Sequence, residues 1–366
     1  MQGMRRRFCA VLVATGCAVG VVACGGDDDA EPAASATPAA EQADLQPVKD
    51  FLLEHTASLN EDAAQLREGA EQYYEMAQAA GFDYAALVKD KRADVQAFVK
   101  QAQEQFAAAN PAYEEMEGVV AGVPSLADYD VIIDAGADKS DPENAAPITL
   151  KTPAGKTWDR PGNFNYLIET SAYGTEPKFA AKGVEPDLDG DGKVSFGEAV
   201  PDADFYVTAA REFEKTTKEL DAAAKEWTPT AQDAFTALVV MTPTMSEYFD
   251  AWKNSRFVAG NKAEEKAFVA ASRLQDIADI LGGLETVYAA VQPSIASVDG
   301  AQATQTKADL SGLTDFAARL RDEEAGGKQF TADEAETLGT EAQSRAEAIA
   351  GQVSQAAGQL DIKLES

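Results

Sequence analysis

The sequence predicts an all-α protein, two antiparallel helical bundles with a long irregular insertion. Three observations carry that prediction. From Leu45 onward the large apolar residues recur every three or four positions, the spacing of one helix face. No segment alternates convincingly at period two, as a half-buried strand would. Helix-start signals also fall where new periodic runs begin: Pro47, Thr228-Pro229, and the capping-box spacing of Thr331 and Glu334.

Taken in order, the chain begins with a segment that is not part of the fold. Arg5, Arg6 and Arg7 precede an apolar stretch from Phe8 to Val22, the layout of a secretory signal and too short for a membrane span. Its end, Val21-Val22-Ala23-Cys24, resembles the lipobox of bacterial lipoproteins. That resemblance implies removal of residues 1–23, lipidation of Cys24 and an anchor on the extracytoplasmic face of the cell membrane. Residues 24–44 hold Gly, Ala, Pro, Ser, Thr and acids with almost nothing apolar to bury, and read as a disordered tether.

The first bundle is expected over residues 45–227. A long helix carries Val48, Leu52, His55, Leu59, Ala63, Leu66, Ala70 and Tyr73 on one face, and Gly81 ends it. A second runs from about Asp83 to Asn110, with Pro111 starting or kinking a further segment from Tyr113 to Val120. The insertion occupies about residues 122–200. Inside it Asn163–Tyr173 reads as a short helix, and the first bundle closes with a helix from Asp204 to Trp227. The second bundle, residues 228–366, opens at Thr228-Pro229 with a helix through Phe235, Leu238, Met245, Phe249 and Trp252. Helices from Phe268 to Val291, around Leu310–Leu320, and from Thr331 through Leu360 complete it.

One stretch of the insertion has the spacing of a calcium loop. In residues 187–198, Asp187, Asp189 and Asp191 stand at positions one, three and five of an EF-hand loop, with Gly192 at the sharp turn. The Lys193 carbonyl falls at position seven, Ser195 at nine and Glu198 at the bidentate position twelve. Pro177, Pro186 and Pro201 exclude regular flanking helices, so a lone loop is expected to hold Ca²⁺ structurally and not to open as a sensor does.

Composition excludes several chemistries. Cys9 and Cys17 leave with the signal and Cys24 takes lipid, so the remainder has no cysteine for a disulfide, a nucleophile or a metal thiolate. A single histidine, His55, rules out any scheme that needs two, and no HExxH motif or nucleophile constellation is present. The expectation is a protein that is not an enzyme. With the three signal arginines removed the net charge falls from −31 to −34, which repels nucleic acid and concentrates cations.

Two segments resemble the imelysin-like EfeM/EfeO family, exported helical-bundle proteins linked to iron uptake and sometimes grouped with peptidases. The first is Pro111-Ala112-Tyr113-Glu114-Glu115-Met116-Glu117, followed by a loop with Asp128 and Asp130. The second is Phe164-Asn165-Tyr166-Leu167-Ile168-Glu169, ending at Tyr173-Gly174. Residues 248–253 and 272–281 are similar to second-half segments of the family. The resemblance implies a bundle iron site built from Glu114, Glu117, Asp130, Tyr166 and Glu169, and an iron permease or peroxidase partner. Tyr166 stands where the family has a histidine, and Phe164 where it has a glycine, so the donor set is all oxygen and suits a hard cation such as ferric iron.

His55 has two readings, a hydrogen-bonded core histidine or an extra ligand from another helix. The function also has two. One is an exported, lipid-anchored metal-binding protein in iron acquisition or delivery, with a structural calcium site. The other is a non-catalytic cell-surface scaffold of imelysin-like fold that has lost the family metal site.

Overall fold

A computed structural model describes residues 43–184 and 186–365. The signal, Cys24 and nearly all of the tether lie outside them. The described chain is mostly helical, with eleven α-helical segments: α1 (Gln46–Ala79), α2 (Tyr84–Val120), α3 (Ala127–Asp130), α4 (Phe164–Tyr173), α5 (Ala203–Glu226), α6 (Ala231–Met241), α7 (Met245–Asn254), α8 (Arg256–Ala259), α9 (Arg273–Val298), α10 (Gly300–Ala325) and α11 (Ala332–Gln359).

The apolar stripe of α1 is buried as its spacing requires: Val48, Leu52, Leu59, Ala63, Leu66, Ala70 and Tyr73 are all removed from solvent. Gly81 at φ +65° and Phe82 at φ +59° turn the chain, and the Asp83 side chain caps α2 by accepting from the Ala86 amide. α2 then continues through Pro111 to Val120, one helix where two segments were expected. Its break in helical geometry lies at Lys91, not at the proline. A proline costs the helix one amide donor, and here the burial of Ala109, Ala112, Tyr113 and Met116 on either side outweighs that loss.

The second-half boundaries also move. The residue that caps α6 is Thr230, not Thr228, in a reciprocal box with Asp233. Pro243 sits in a tight turn at Thr242–Thr244, so the expected single helix through Trp252 becomes α6 and α7. The helix expected from Phe268 starts at Arg273, capped by Ser272, and runs on past Pro293 to Val298. Thr331 and Glu334 form the expected capping box at α11.

Within the insertion, α3 passes into a π-helical turn at Val131–Ala135. A short antiparallel hairpin follows, β1 (Thr149–Lys151) against β2 (Thr157–Asp159), with Leu150 opposite Trp158. Three residues per strand are too few to show an alternating pattern in sequence.

α1 packs against α5 and α2, while α9, α10, α11, α6 and α7 pack among themselves. The chain crosses between these groups at Trp227, but α2 lies along α9, and buried side chains of both groups belong to one core cluster. Two glycines set that α2–α9 approach. A Cβ on Gly283 would lie 2.1 Å from the Glu115 carbonyl oxygen, and one on Gly118 would lie 2.8 Å from Leu284 Cδ2. No helix of the described residues is long and apolar enough to cross a membrane.

Candidate metal centre

Beside the close α2–α9 contact, acids from four elements gather in the interior. Glu114 and Glu117, three apart on α2, share a helix face and are buried. The π-helical turn contributes Asp134, and α3 ends on Asp130; widened turns of this kind often mark functional sites. Oxygens of Glu114, Glu117 and Asp134 lie within 4.8 Å of one another. Asp276, in the first turn of α9, adds a further buried carboxyl.

One cation stands among them. Arg273 Nη1 lies 3.0 Å from Asp276 Oδ2 and 3.3 Å from Glu114 Oε2, and Nη2 lies 3.8 Å from Asp134 Oδ2. Its guanidinium is held between the rings of Tyr248 and Phe268, at 4.5 and 4.2 Å from their centroids. Neutral donors complete the frame. Tyr113 Oη donates to Asp130 at 2.7 Å, Tyr248 Oη to Glu117 at 2.7 Å, Asn110 to Asp276 at 2.9 Å and Asn165 to Asp134 at 3.1 Å.

The frame is incomplete. Glu114 Oε1 and Glu117 Oε2 are buried without a hydrogen-bond partner, a situation native interiors rarely tolerate. Five carboxyls gather around one guanidinium, and the protonation of Glu114, Glu117 and Asp130 reflects it. Burial pushes Glu114 well above the usual carboxylate range, with Asp276, Asp134 and Glu117 adding to the shift and Arg273 opposing it. Burial, then Asp134, moves Glu117 up to about 7. Burial and the neighbouring Glu117 and Asp134 raise Asp130 in the same way. A proton or a cation would each satisfy the orphaned oxygens. The donors are all oxygen and fit a hard cation, with Glu114, Glu117 and Asp134 as the holding residues.

The other residues expected at this site have different partners. Tyr166 Oη donates to Glu176 at 3.0 Å, and Glu169 accepts from the backbone amides of Phe268, Val269 and Ala270 at 2.7–2.8 Å. His55 turns to Glu115, whose side chain leaves the opposite face of α2, with Nε2 2.5 Å from Oε2 and Nδ1 2.7 Å from the Phe51 carbonyl. Asp130 is present at the edge, bonded to Tyr113. Asp134, Asp276, Arg273 and Tyr248 also line the cluster, beyond the site residues the sequence motifs mark. The four-residue spacing of Asp130 and Asp134 was the available signal for the first. For Arg273, it was a cation opening a helix otherwise rich in Leu and Ile.

In the 187–198 loop, Asp187, Asp189 and Asp191 also bring carboxylate oxygens within 4.8 Å of one another. Asp187 accepts from the Gly190 and Gly192 amides, Asp189 from Asp191 and Asp191 from Lys193. Glu198 stands apart from that trio, accepting from the amides of Leu188, Asp189 and Ser195.

A family model described as imelysin (Peptidase M75) matches residues 185–355. Over that stretch the chain is imelysin-like. The matched residues include Tyr248, Arg273 and Asp276 of the cluster, while Glu114, Glu117, Asp130 and Asp134 precede them. No curated protein matches the chain. The mostly helical architecture agrees with an imelysin-like fold.

Proposed function

We propose that this chain is an exported protein, anchored through lipid on Cys24, that binds a hard cation in iron acquisition or delivery and is not a catalyst. The observation that carries the reading is the pair of orphaned oxygens, Glu114 Oε1 and Glu117 Oε2, inside a cluster where carboxyls outnumber the guanidinium. Iron is the cargo the imelysin-like likeness favours, and a permease or peroxidase partner would receive it. A Ca²⁺ in the 187–198 loop would serve structure. The peptidase label of the family finds little chemistry to use, because both nitrogens of the chain's one histidine are engaged by Phe51 and Glu115.

Titration of the purified chain, without its signal, with ferric and ferrous iron and Mn²⁺ tests this. One equivalent should bind in a way that Glu114→Gln/Glu117→Gln abolishes. Tyr166→Phe should leave binding intact, because Tyr166 is tied to Glu176. Cys24→Ala should move the full chain from the membrane to the soluble fraction.

A second reading has its own observation. Arg273 already stands against Glu114 and Asp276, as a built-in replacement for a lost metal would. If no cation binds and Arg273→Ala destabilises the protein strongly, the scaffold reading takes its place.

A further inference from the structure

We infer that Glu169 is the latch of a strap, residues 264–272, that closes the carboxylate cluster from solvent, so that a cation enters only when the latch releases. This rests on the cation-binding reading for what passes, but the latch itself stands on separate observations.

The strap joins the short turn after α8 to the N-cap of α9 and has no secondary structure of its own. Three of its successive amides, those of Phe268, Val269 and Ala270, converge on the one carboxylate of Glu169. Consecutive amides on a carboxylate form an anion-holding nest, and its bonds are charge-assisted. The Glu169 side chain comes from α4, a different element almost a hundred residues away in sequence. Flanking contacts reinforce the hold. Thr175 donates to the Lys266 carbonyl at 2.7 Å, and Lys266 Nζ donates to Glu176 at 2.8 Å.

The strap is also strained where it covers the site. Phe268 has φ +53°, a left-handed conformation that a bulky residue keeps only when its surroundings enforce it. Its half-buried ring lies over the Arg273 guanidinium, which in turn contacts Glu114 and Asp276. The order from outside inward is therefore Phe268, Arg273, then the cluster. The cluster side chains are at most 8% exposed, so none is presented openly to solvent. Strain in a covering segment favours opening once its central anchor, Glu169, lets go. Glu169, expected from sequence to ligate metal, thus acts as a positioning residue.

Hydrogen–deuterium exchange on the full chain without its signal tests the latch with no metal present. In Glu169→Gln one oxygen is replaced by an amide that faces backbone donors, and strap amides should exchange about tenfold faster or more while α1, α2 and α9 keep their protection. Unchanged exchange overturns the latch. Stopped-flow binding of Tb³⁺, counted as the signal lost in Glu114→Gln/Glu117→Gln, tests the gate. Association should quicken in Glu169→Gln by a similar factor with little change in affinity; faster exchange with unchanged association overturns the gate. Absence of any cluster-dependent Tb³⁺ signal overturns the cation reading and the gate with it, and leaves the latch to be judged by exchange. If Glu169→Gln fails to fold, Phe268→Ala decides: it keeps the amides and the left-handed φ, removes only the ring over Arg273, and should speed Tb³⁺ entry. Unchanged entry in that variant overturns the gate.

Discussion

At the scale of single residues, context decides what a carboxylate does. Glu169 and Glu117 are both buried and both moved up to about 7, yet one holds backbone amides and the other faces a second carboxyl. Glu198 is the opposite case. Backbone amides, Ser195 first, hold it below the usual carboxylate range, so the charged form is the favoured one. In the loop the Asp187 side chain already accepts from Gly190 and Gly192, whose φ values of +82° and +87° only glycine adopts at no steric cost. We expect millimolar Ca²⁺ to raise the melting temperature, because a ligand of the folded state at a hundred times its Kd adds about 2.7 kcal/mol. Glu198→Gln, which removes the carboxylate proposed as bidentate ligand, should lose most of that shift in a calorimetric scan. An equal shift in the variant would remove the loop from the list of calcium sites.

At the scale of elements, the α2–α9 contact is the device that builds the cluster, and neighbouring glycines separate its packing from helix propensity. Gly283 has no room for a Cβ, whereas nothing lies within 4 Å of the Cβ position of Gly282. Gly282→Ala should therefore stabilise the protein by up to about 1 kcal/mol, the ordinary gain of alanine over glycine inside a helix. Gly283→Ala should destabilise it by about 1–3 kcal/mol through overpacking, and should weaken cation binding by pushing Asp276 and Arg273 away from Glu114. Denaturant melts of the two single variants check the pair, and similar midpoints for both would contradict a tight helix contact. The same contact explains why Asp276 and Arg273 meet Glu114 although they are distant from it in sequence: helix approach adds them to the pair that local spacing on α2 supplies.

At the scale of the whole molecule, buried acids set the pH dependence of stability. Glu117 and Glu169 are displaced upward to about 7 and Asp279 to about 6, each chiefly by burial. Their unfolded counterparts titrate near 4. The folded state therefore binds protons more tightly, and the stability these groups contribute is present below about pH 4 and lost as pH rises through 7. The metal-free protein should melt at a higher temperature near about pH 5.5 than near pH 8, since each unit of displacement is worth about 1.4 kcal/mol. Acids held low by hydrogen bonds against the cost of burial, Glu176 by Lys266 and Tyr166 and Asp138 by Ser140, act oppositely and only at more acid pH. A cation bound by the ionised cluster takes the place of the protons, so loading should flatten the profile and release protons on binding. Melting curves across pH, with and without metal, measure both effects, and a rise in metal-free stability from pH 5.5 to 8 would contradict the assignment.

Most of the helical architecture is local physics and was readable in sequence. Three-four periodicity predicts the buried face of α1 almost residue by residue, and the Thr331–Glu334 box marks the start of α11 because a cap needs only neighbours three residues apart. Glu114 and Glu117 share a face because they are three apart on one helix, while Asp130 lies at the edge, bonded to Tyr113. Whether Pro111 breaks a helix was not local, since packing on both sides of it outweighs one lost hydrogen bond. Nor was the direction of Tyr166 and Glu169, which share a helix face with the expected spacing but are claimed by Glu176 and by the amides of residues 268–270. The sequence by itself determined which segments are helices and which acids are available. Only the tertiary structure decided which acids meet, that Arg273 stands among them and that a strained strap lies over them, because those outcomes depend on contacts between residues far apart in the chain.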